Sequence, residues 1–311
     1  MTLPSSLRSR PPEGAQGRLG SGPALGPLTV LTWNVQWFCG LDGTVDVERV
    51  LGHARALADF DVLCLQEVAV NYPGLRGNAG FDQVQRVREL LPGFEVVFGP
   101  AIDERAADGR PQRFGNLIAS RLPLARVQRN ALPWPADAGV RSMPRSCLSA
   151  TVMAPSGPLR VMTTHLEYYS LRQRRAQAMA LLALHAQECA QAAAPPAADG
   201  APDTPFQPQK LTSRALLCGD FNLGPSAAEY SLLQRAVDAP ATRLVDAWTL
   251  AHAASEPRAP TFCVHDTTYG DHPIACDFMF VSEDLAAHVR SVDVDVATRA
   301  SDHQPVTLVL S

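Results

Sequence analysis

The sequence predicts an α/β fold with mixed rather than purely parallel sheets, and three observations carry that expectation. Short β-rich apolar runs alternate with amphipathic helical stretches. Several strand candidates follow one another directly, around 116–165 and 277–310, which argues against strict βαβ winding. Of the 311 residues, 46% are hydrophobic and 19% charged, enough to bury one large core.

Taken in order, the first 27 residues carry scattered basic side chains but no continuous apolar stretch. They fit neither a secretory signal nor a membrane span, and read as a disordered tail (1–27) ahead of a single catalytic domain (28–311). Strands are expected at 28–34, 61–65, 94–98, 116–120, 147–153, 159–165, 215–218, 277–281 and 306–310. Helices are expected at 46–58, 81–91, 171–193 and 227–237; in the second, Phe81, Val84, Val87 and Leu91 recur at helical spacing. Residues 191–210, rich in Pro, Ala and small polar side chains, cannot bury much surface and read as a flexible surface loop inside the domain.

The formal net charge of −4 supplies no global positive field toward nucleic acid or anionic membranes, though a local Arg cluster or a bound cation can attract a polyanion. No amphipathic basic stretch marks membrane binding or insertion, and no obligate protein partner is evident. Seven cysteines without a C-x-x-C pair indicate a reducing compartment, hence a cytoplasmic protein, and no structural zinc site.

The chemistry is carried by polar residues abutting apolar strands. Asn34 ends the first strand, where a carboxamide can orient water or a phosphate oxygen without adding charge. Glu67 follows the run Leu63 to Gln66, and its carboxylate is the hard oxygen donor that Mg²⁺ prefers. His165 follows another apolar strand, with Arg172, Arg174 and Arg175 just beyond it at a helix start, a combination suited to holding phosphate.

In the run Gly219, Asp220, Phe221, Asn222, the period of two puts Asp220 and Asn222 on one face, and Gly219 permits close backbone approach. A carboxylate beside a carboxamide offers a proton acceptor and a phosphate-positioning donor. Asp277 opens a late strand, and Asp302 and His303 precede the last one. A His held by a carboxylate makes a base that works near neutral pH, which assigns His303 that role, Asp277 its orientation, and Asp302 a second metal-facing acid. Each of these strings is ordinary taken singly; six together, with no competing nucleophile elbow, P-loop or dinucleotide fingerprint, point to Mg²⁺-assisted phosphoryl chemistry.

The ordered set T-W-N, L-Q-E, T-H-L, G-D-x-N, D-F-x-F and S-D-H, running from Thr32 to His303, resembles the endonuclease/exonuclease/phosphatase superfamily. That resemblance implies a four-layer αββα sandwich of two mixed sheets flanked by helices. It also implies one or two Mg²⁺ ions (or Mn²⁺) near Glu67, with Asn34 and Asp302 close by. Asp220 and Asn222 would activate the attacking water and hold the phosphate, and His303 with Asp277 would stabilise the transition state or move a proton. His165, Arg145, Arg172 and Asn116 are the remaining candidates for contact with the phosphoester substrate.

Ala275, Cys276 and Asp277 stand where the family often has Arg-Ile-Asp, so a helpful Arg is absent. His165 favours the deoxyribonuclease, sphingomyelinase and phosphatase branches over abasic-site repair enzymes. The stretches Met143 to Arg145, Val161 to Glu167 and Val245 to Trp248 look like 5′-tyrosyl-DNA phosphodiesterases. The leading expectation is therefore a phosphodiesterase or nuclease-like enzyme, with nucleic acid among its candidate substrates. The alternatives are a phosphatase or sphingomyelinase-like hydrolase and an inactive binding module, the last opposed by the presence of Glu67, Asp220 and His303. Substrate choice is expected to lie in loops 69–80, 99–114, 133–146 and 255–273, which bring Arg105, Arg110, Arg113, Arg141 and Arg145.

Overall fold

The computed structural model describes residues 27–197 and 204–311. Most of the expected tail and part of the expected 191–210 loop fall outside these residues.

Two six-stranded mixed sheets pack face to face. The first contains β1 (Leu28–Asn34), β2 (Val62–Val70), β3 (Glu95–Arg105), β4 (Pro111–Ser120), β11 (Val289–Val294) and β12 (Val306–Leu310), in the order β11-β12-β1-β2-β4-β3. The second contains β5 (Leu124–Ala131), β6 (Ser146–Ala154), β7 (Gly157–His165), β8 (Ala215–Asp220), β9 (Leu244–Asp246) and β10 (Asp277–Ser282), in the order β5-β6-β7-β8-β10-β9. Each sheet is centred on one parallel pair, β1 with β2 and β7 with β8, and every other pairing is antiparallel.

The central strands read as unbroken apolar runs because both of their faces are covered. Val30, Val62, Cys64, Ile118, Leu216, Cys218 and Met279 point into the core between the sheets. Their neighbours Leu31, Trp33, Leu63 and Leu65 face the other way, onto α1 (Val47–Leu57) and α2 (Gln83–Leu90). On the far side Met162, Leu217, Phe278 and Phe280 pack under α3 (Leu171–Ala193) and α4 (Ala228–Leu233). The result is the four-layer αββα sandwich. Side-chain caps start the three longer helices: Asp46 accepts from the Arg49 N–H, Asp82 from Gln85 and Ser170 from Gln173.

The structure extends or corrects several expected elements. The segment 99–114, expected as a loop, belongs largely to the β3–β4 hairpin. The helix expected over 227–237 stops at Leu233. The expected 191–210 loop begins inside α3, which good helix formers carry to Ala193. β5, β9, β11 and the short α5 (Ala247–Ala251) were not expected.

Parallel pairing fixes where the site forms, because it brings the C-terminal ends of paired strands side by side. Asn34 pairs with Gln66, and His165 with Asp220. The antiparallel β10 then sets its first residue, Asp277, opposite Asp220. All of these lie at one end of the sandwich.

Candidate active site

Asn34, fully buried, links the two sheets. Its Nδ2 donates to Glu67 Oε1 (3.0 Å) and Asp220 Oδ2 (2.9 Å), while its Oδ1 accepts the Gln36 N–H at 3.1 Å. It therefore presents its nitrogen, not its oxygen, to the carboxylates and acts here as a bridge between them. Glu67 does not follow β2 but interrupts it: the β2–β4 register slips between Leu65 and Val68, and Glu67 takes a φ of 61°. The bulge re-aims the carboxylate into the cavity. Gln36 (φ 45°), Trp37 (φ 46°) and Asn222 (φ 52°) are also in the left-handed region, so four cavity-lining residues hold costly backbone conformations. Gly219 permits this crowding: at φ +127° a Cβ would collide with the Thr164 carbonyl.

Asp220 is the hub. Its Oδ1 accepts from the Asn222 N–H at 2.9 Å, and its Oδ2 lies 3.4 Å from His165 Nε2 and 3.6 Å from His303 Nε2. Asn222 Nδ2 donates to the Leu166 carbonyl (2.9 Å). His303 Nδ1 donates to Asp277 Oδ2 at 2.9 Å, the ring stacks on Phe262 with centroids 4.5 Å apart, and Trp33 Nε1 holds the His303 carbonyl at 2.9 Å. Asp302 accepts from Gln36 Nε2 at 2.8 Å and from Ser301 Oγ at 3.3 Å.

The electrostatics divide the two histidines. Burial, then Arg145 and His303, push His165 well below its ordinary value, so it is a neutral imidazole. Burial alone would push His303 down too, but the Asp277 and Asp220 carboxylates outweigh it and hold the imidazolium well above the ordinary range. Three carboxyl groups are raised as well. Burial raises Glu67, and raises Asp220 and Asp302 to about 6.

Among the described residues no Lys or Arg forms an ion pair with Glu67, Asp220 or Asp302. Clustered carboxylates without a Lys or Arg partner, offering hard oxygen donors, fit a divalent cation of the Mg²⁺ or Mn²⁺ type. Glu67 and Asp302 line the same cavity and are the candidates to hold it, and Glu67, His165 and Asp220 have ligand-type atoms within 4.8 Å of one another.

A cavity of about 270 Å³ opens over this cluster, lined by Glu67, Arg145, His165, Asp220, Asn222, Asp302 and His303. Arg145 is 6% exposed; its Nε reaches Glu167 Oε2 at 3.3 Å, and its Nη1 is buried without a hydrogen-bond partner. A buried cationic donor with a free N–H beside a cavity is suited to an anionic ligand oxygen.

Two candidates are not brought to the cavity. Asn116 is buried with its Nδ2 donating to the Ser146 carbonyl (3.0 Å), and Arg172 is exposed on α3. Of the loop arginines, Arg141 lines the cavity, whereas Arg110 pairs with Asp108 and Arg113 with Asp103. Sequence reasoning missed Gln36, Phe262, Glu167 and the mouth aromatics Trp37, Tyr168, Tyr169 and Tyr269. Tyr169 carries Arg141 over its ring at 5.7 Å. Only Gln36 had a usable signal, its place two residues after Asn34.

The sequence profile of the endonuclease/exonuclease/phosphatase family matches residues 31–303. No curated protein matches the sequence. Among solved structures, the chain is similar to an endonuclease/exonuclease/phosphatase from Beutenbergia cavernae, with 24% identity over 91% of this chain and 71% of that one and a TM-score of 0.65. It is similar to a mannosyl-6-phosphatase from Bacteroides thetaiotaomicron, with 17% identity over 91% and 100% of the two chains and a TM-score of 0.59. It is also similar to D. rerio TDP2 complexed with a single strand DNA product, with 18% identity over 92% and 99% and a TM-score of 0.59. At these identities the likeness is one of fold.

Proposed function

The chain belongs to the endonuclease/exonuclease/phosphatase family, whose members hydrolyse phosphoester bonds, and from that premise we propose that it is a divalent-metal-dependent phosphodiesterase. The observation that carries this reading is the convergence of Asn34, Glu67, His165, Asp220, Asp302 and the His303–Asp277 pair at one end of the sandwich, beside a cavity with an unpaired Arg145 donor.

In this reading Arg145 and neutral His165 hold non-bridging oxygens of the phosphoryl group. Asp220, oriented by Asn34 and the Asn222 N–H, accepts a proton from the attacking water. The His303 imidazolium, fixed by Asp277, faces the negative charge that grows in the transition state. A cation held by Glu67 and Asp302 would add Lewis-acid stabilisation of that charge. His165 stays neutral because burial disfavours its charged ring, which would also repel Arg145 and His303.

The exposed mouth tyrosines, Tyr168, Tyr169 and Tyr269, favour a diester whose flanking group stacks on rings, a nucleic acid end being one such group. The TDP2 neighbour with its single strand DNA product supports this choice. A phosphatase is the second reading, favoured by the small cavity and by the mannosyl-6-phosphatase neighbour. Residues 28–311 act in this reading as one catalytic unit, because both sheets contribute to the site. No described helix is long and apolar enough to cross a membrane, and the cysteines are all free and buried, which suits a cytoplasmic setting.

The test is a hydrolysis panel with Mg²⁺ or Mn²⁺ on bis-p-nitrophenyl phosphate, p-nitrophenyl phosphate, a 5′-tyrosyl DNA end and single-stranded DNA. Metal-dependent cleavage of diesters, absent from Asp220→Ala, is expected. Activity undiminished by exhaustive chelation would overturn the metal role, and cleavage of monoesters alone would move the assignment to the phosphatase reading.

A further inference from the structure

Asp220, Asp277 and His303 also belong to a second constellation of different chemistry, completed by Cys276. Cys276, Asp277, His303 and Asp220 are all buried and each offers one ligand-type atom within 4.8 Å of the others. Cys276 Sγ is 3.5 Å from Asp277 Oδ2, which is itself 2.9 Å from His303 Nδ1. The bond lengths of a tetrahedral zinc site place a sulfur and an oxygen ligand about 3.5 Å apart and a nitrogen and an oxygen ligand about 3.3 Å apart. The first separation is already met, and the second needs only a small opening.

Two further observations point to a ligand. Asp277 Oδ1 is buried without a hydrogen-bond partner, although its carboxylate is fully inside the protein. A side cavity of about 170 Å³, lined by Cys276, Phe262, Cys263, Ile274 and Asn222, adjoins the cluster.

We propose that Cys276, Asp277 and His303, with Asp220 as the fourth donor, form a site for a soft divalent cation of the zinc class, and that its occupation arrests hydrolysis. A mixed sulfur, nitrogen and oxygen set with one thiol selects zinc or cadmium over Mg²⁺. Burial keeps the empty thiol protonated. On binding, the Sγ–H bond is lost, its proton and the one on His303 Nδ1 pass to solvent, and the thiolate and ring nitrogen each donate a lone pair to the cation. No electron is transferred. Arrest follows because Asp220, His303 and Asp277, which the proposed reaction needs at the phosphoryl group, would be held by the cation instead.

The test uses the full chain in excess Mg²⁺. Zinc is titrated against hydrolysis for wild type, Cys276→Ala and Cys276→Ser, each normalised to its own zinc-free rate, and cadmium is titrated while the near-ultraviolet thiolate band is recorded. Wild type is expected to be half-inhibited at a zinc concentration at least about tenfold below that of either variant, and to show a cadmium–thiolate band that both variants lack. Equal zinc sensitivity, or a band that survives loss of Cys276, would overturn the site. The band is read whether or not any phosphoester is cleaved, so failure of this site and failure of the proposed activity are distinguishable.

Discussion

Two buried polar clusters, one drawn from both sheets at the end of the sandwich and one under α3, are built on opposite principles. At the end of the sandwich, Glu67, Asp220 and Asp302 gather negative charge with no Lys or Arg counter-ion among the described residues. Under α3, on the outer face, Arg160 is balanced almost completely. Its Nη2 donates to His185 Nδ1 (2.7 Å) and its Nη1 to the Thr212 carbonyl (3.3 Å), with Glu188 Oε2 at 3.7 Å. Glu188 in turn takes Arg126 at 2.6 Å and Gln128 at 3.1 Å, and His185 Nε2 donates to the Thr242 carbonyl at 2.8 Å. Arg160 Nε and the Thr242 hydroxyl lack a partner among the described residues. A satisfied buried network fixes packing, whereas an unsatisfied one keeps its field for something that is not protein.

The sharpest way to break that contrast is to delete one member of each cluster. Asp220→Ala and His303→Ala are expected to lower turnover by roughly a thousandfold or more, and Asp220→Ala is expected to keep the melting temperature of the metal-free protein within a few degrees of wild type. Removing Asp220 takes away a carboxylate whose charged form burial disfavours, so its loss costs little structure. Glu188→Ala strands Arg160 and Arg126 and is expected to destabilise by about 3–5 kcal/mol while turnover per folded molecule persists. Calorimetry beside kinetics decides; an Asp220→Ala protein that unfolds as readily as Glu188→Ala would end the distinction.

A smaller effect should come from supplying the missing charge. Mg²⁺ or Mn²⁺ at about a hundred times its dissociation constant is expected to add about 2.7 kcal/mol to wild-type stability. Asp302→Asn should lose most of that gain, and Glu188→Ala should keep it. Thermal shifts with and without chelator measure both. An equal gain in Asp302→Asn would remove that residue from the metal-holding set.

The two clusters also differ in how legible they were. The site residues were readable because each abuts a strand buried on both faces, where a polar residue interrupts an apolar run: Asn34 after Trp33, Asp220 after Gly219, His165 after Thr164. The sandwich layers followed from the same runs. What escaped reading came from pairings distant in sequence or from half-exposed strands. Phe262 reaches His303 across an isolated bridge, and Glu167 reaches Arg145 from another strand end. β5 alternates intermediate and exposed residues with no apolar run to announce it. Arg160 lies inside an apolar strand and Glu188 on a helix that reads as solvated, so nothing local marks them as partners.

The finest test uses pH, because the two clusters should tilt stability in opposite directions. Burial, then Arg160, lowers the His185 pKa below its ordinary 6.5, against the pull of the Thr242 carbonyl and Asp284. Below about pH 6.5 the unfolded chain takes up more protons than the folded one, so this contribution is present above 6.5 and lost as pH falls toward the lower folded value. Asp220 and Asp302, raised to about 6, behave in reverse: their contribution is present below about 3.8 and is lost as pH rises through about 6. In chelator, urea midpoints at about pH 7.5 and about pH 5.5 separate the two. His185→Gln, whose amide can still accept from Arg160 and donate to Thr242, should lose less stability on acidification than wild type. Asp302→Asn should lose more, because it lacks the opposing contribution. Both changes should be smaller than the metal effect, and identical acid profiles for all three proteins would show that neither cluster carries its charge as the geometry requires.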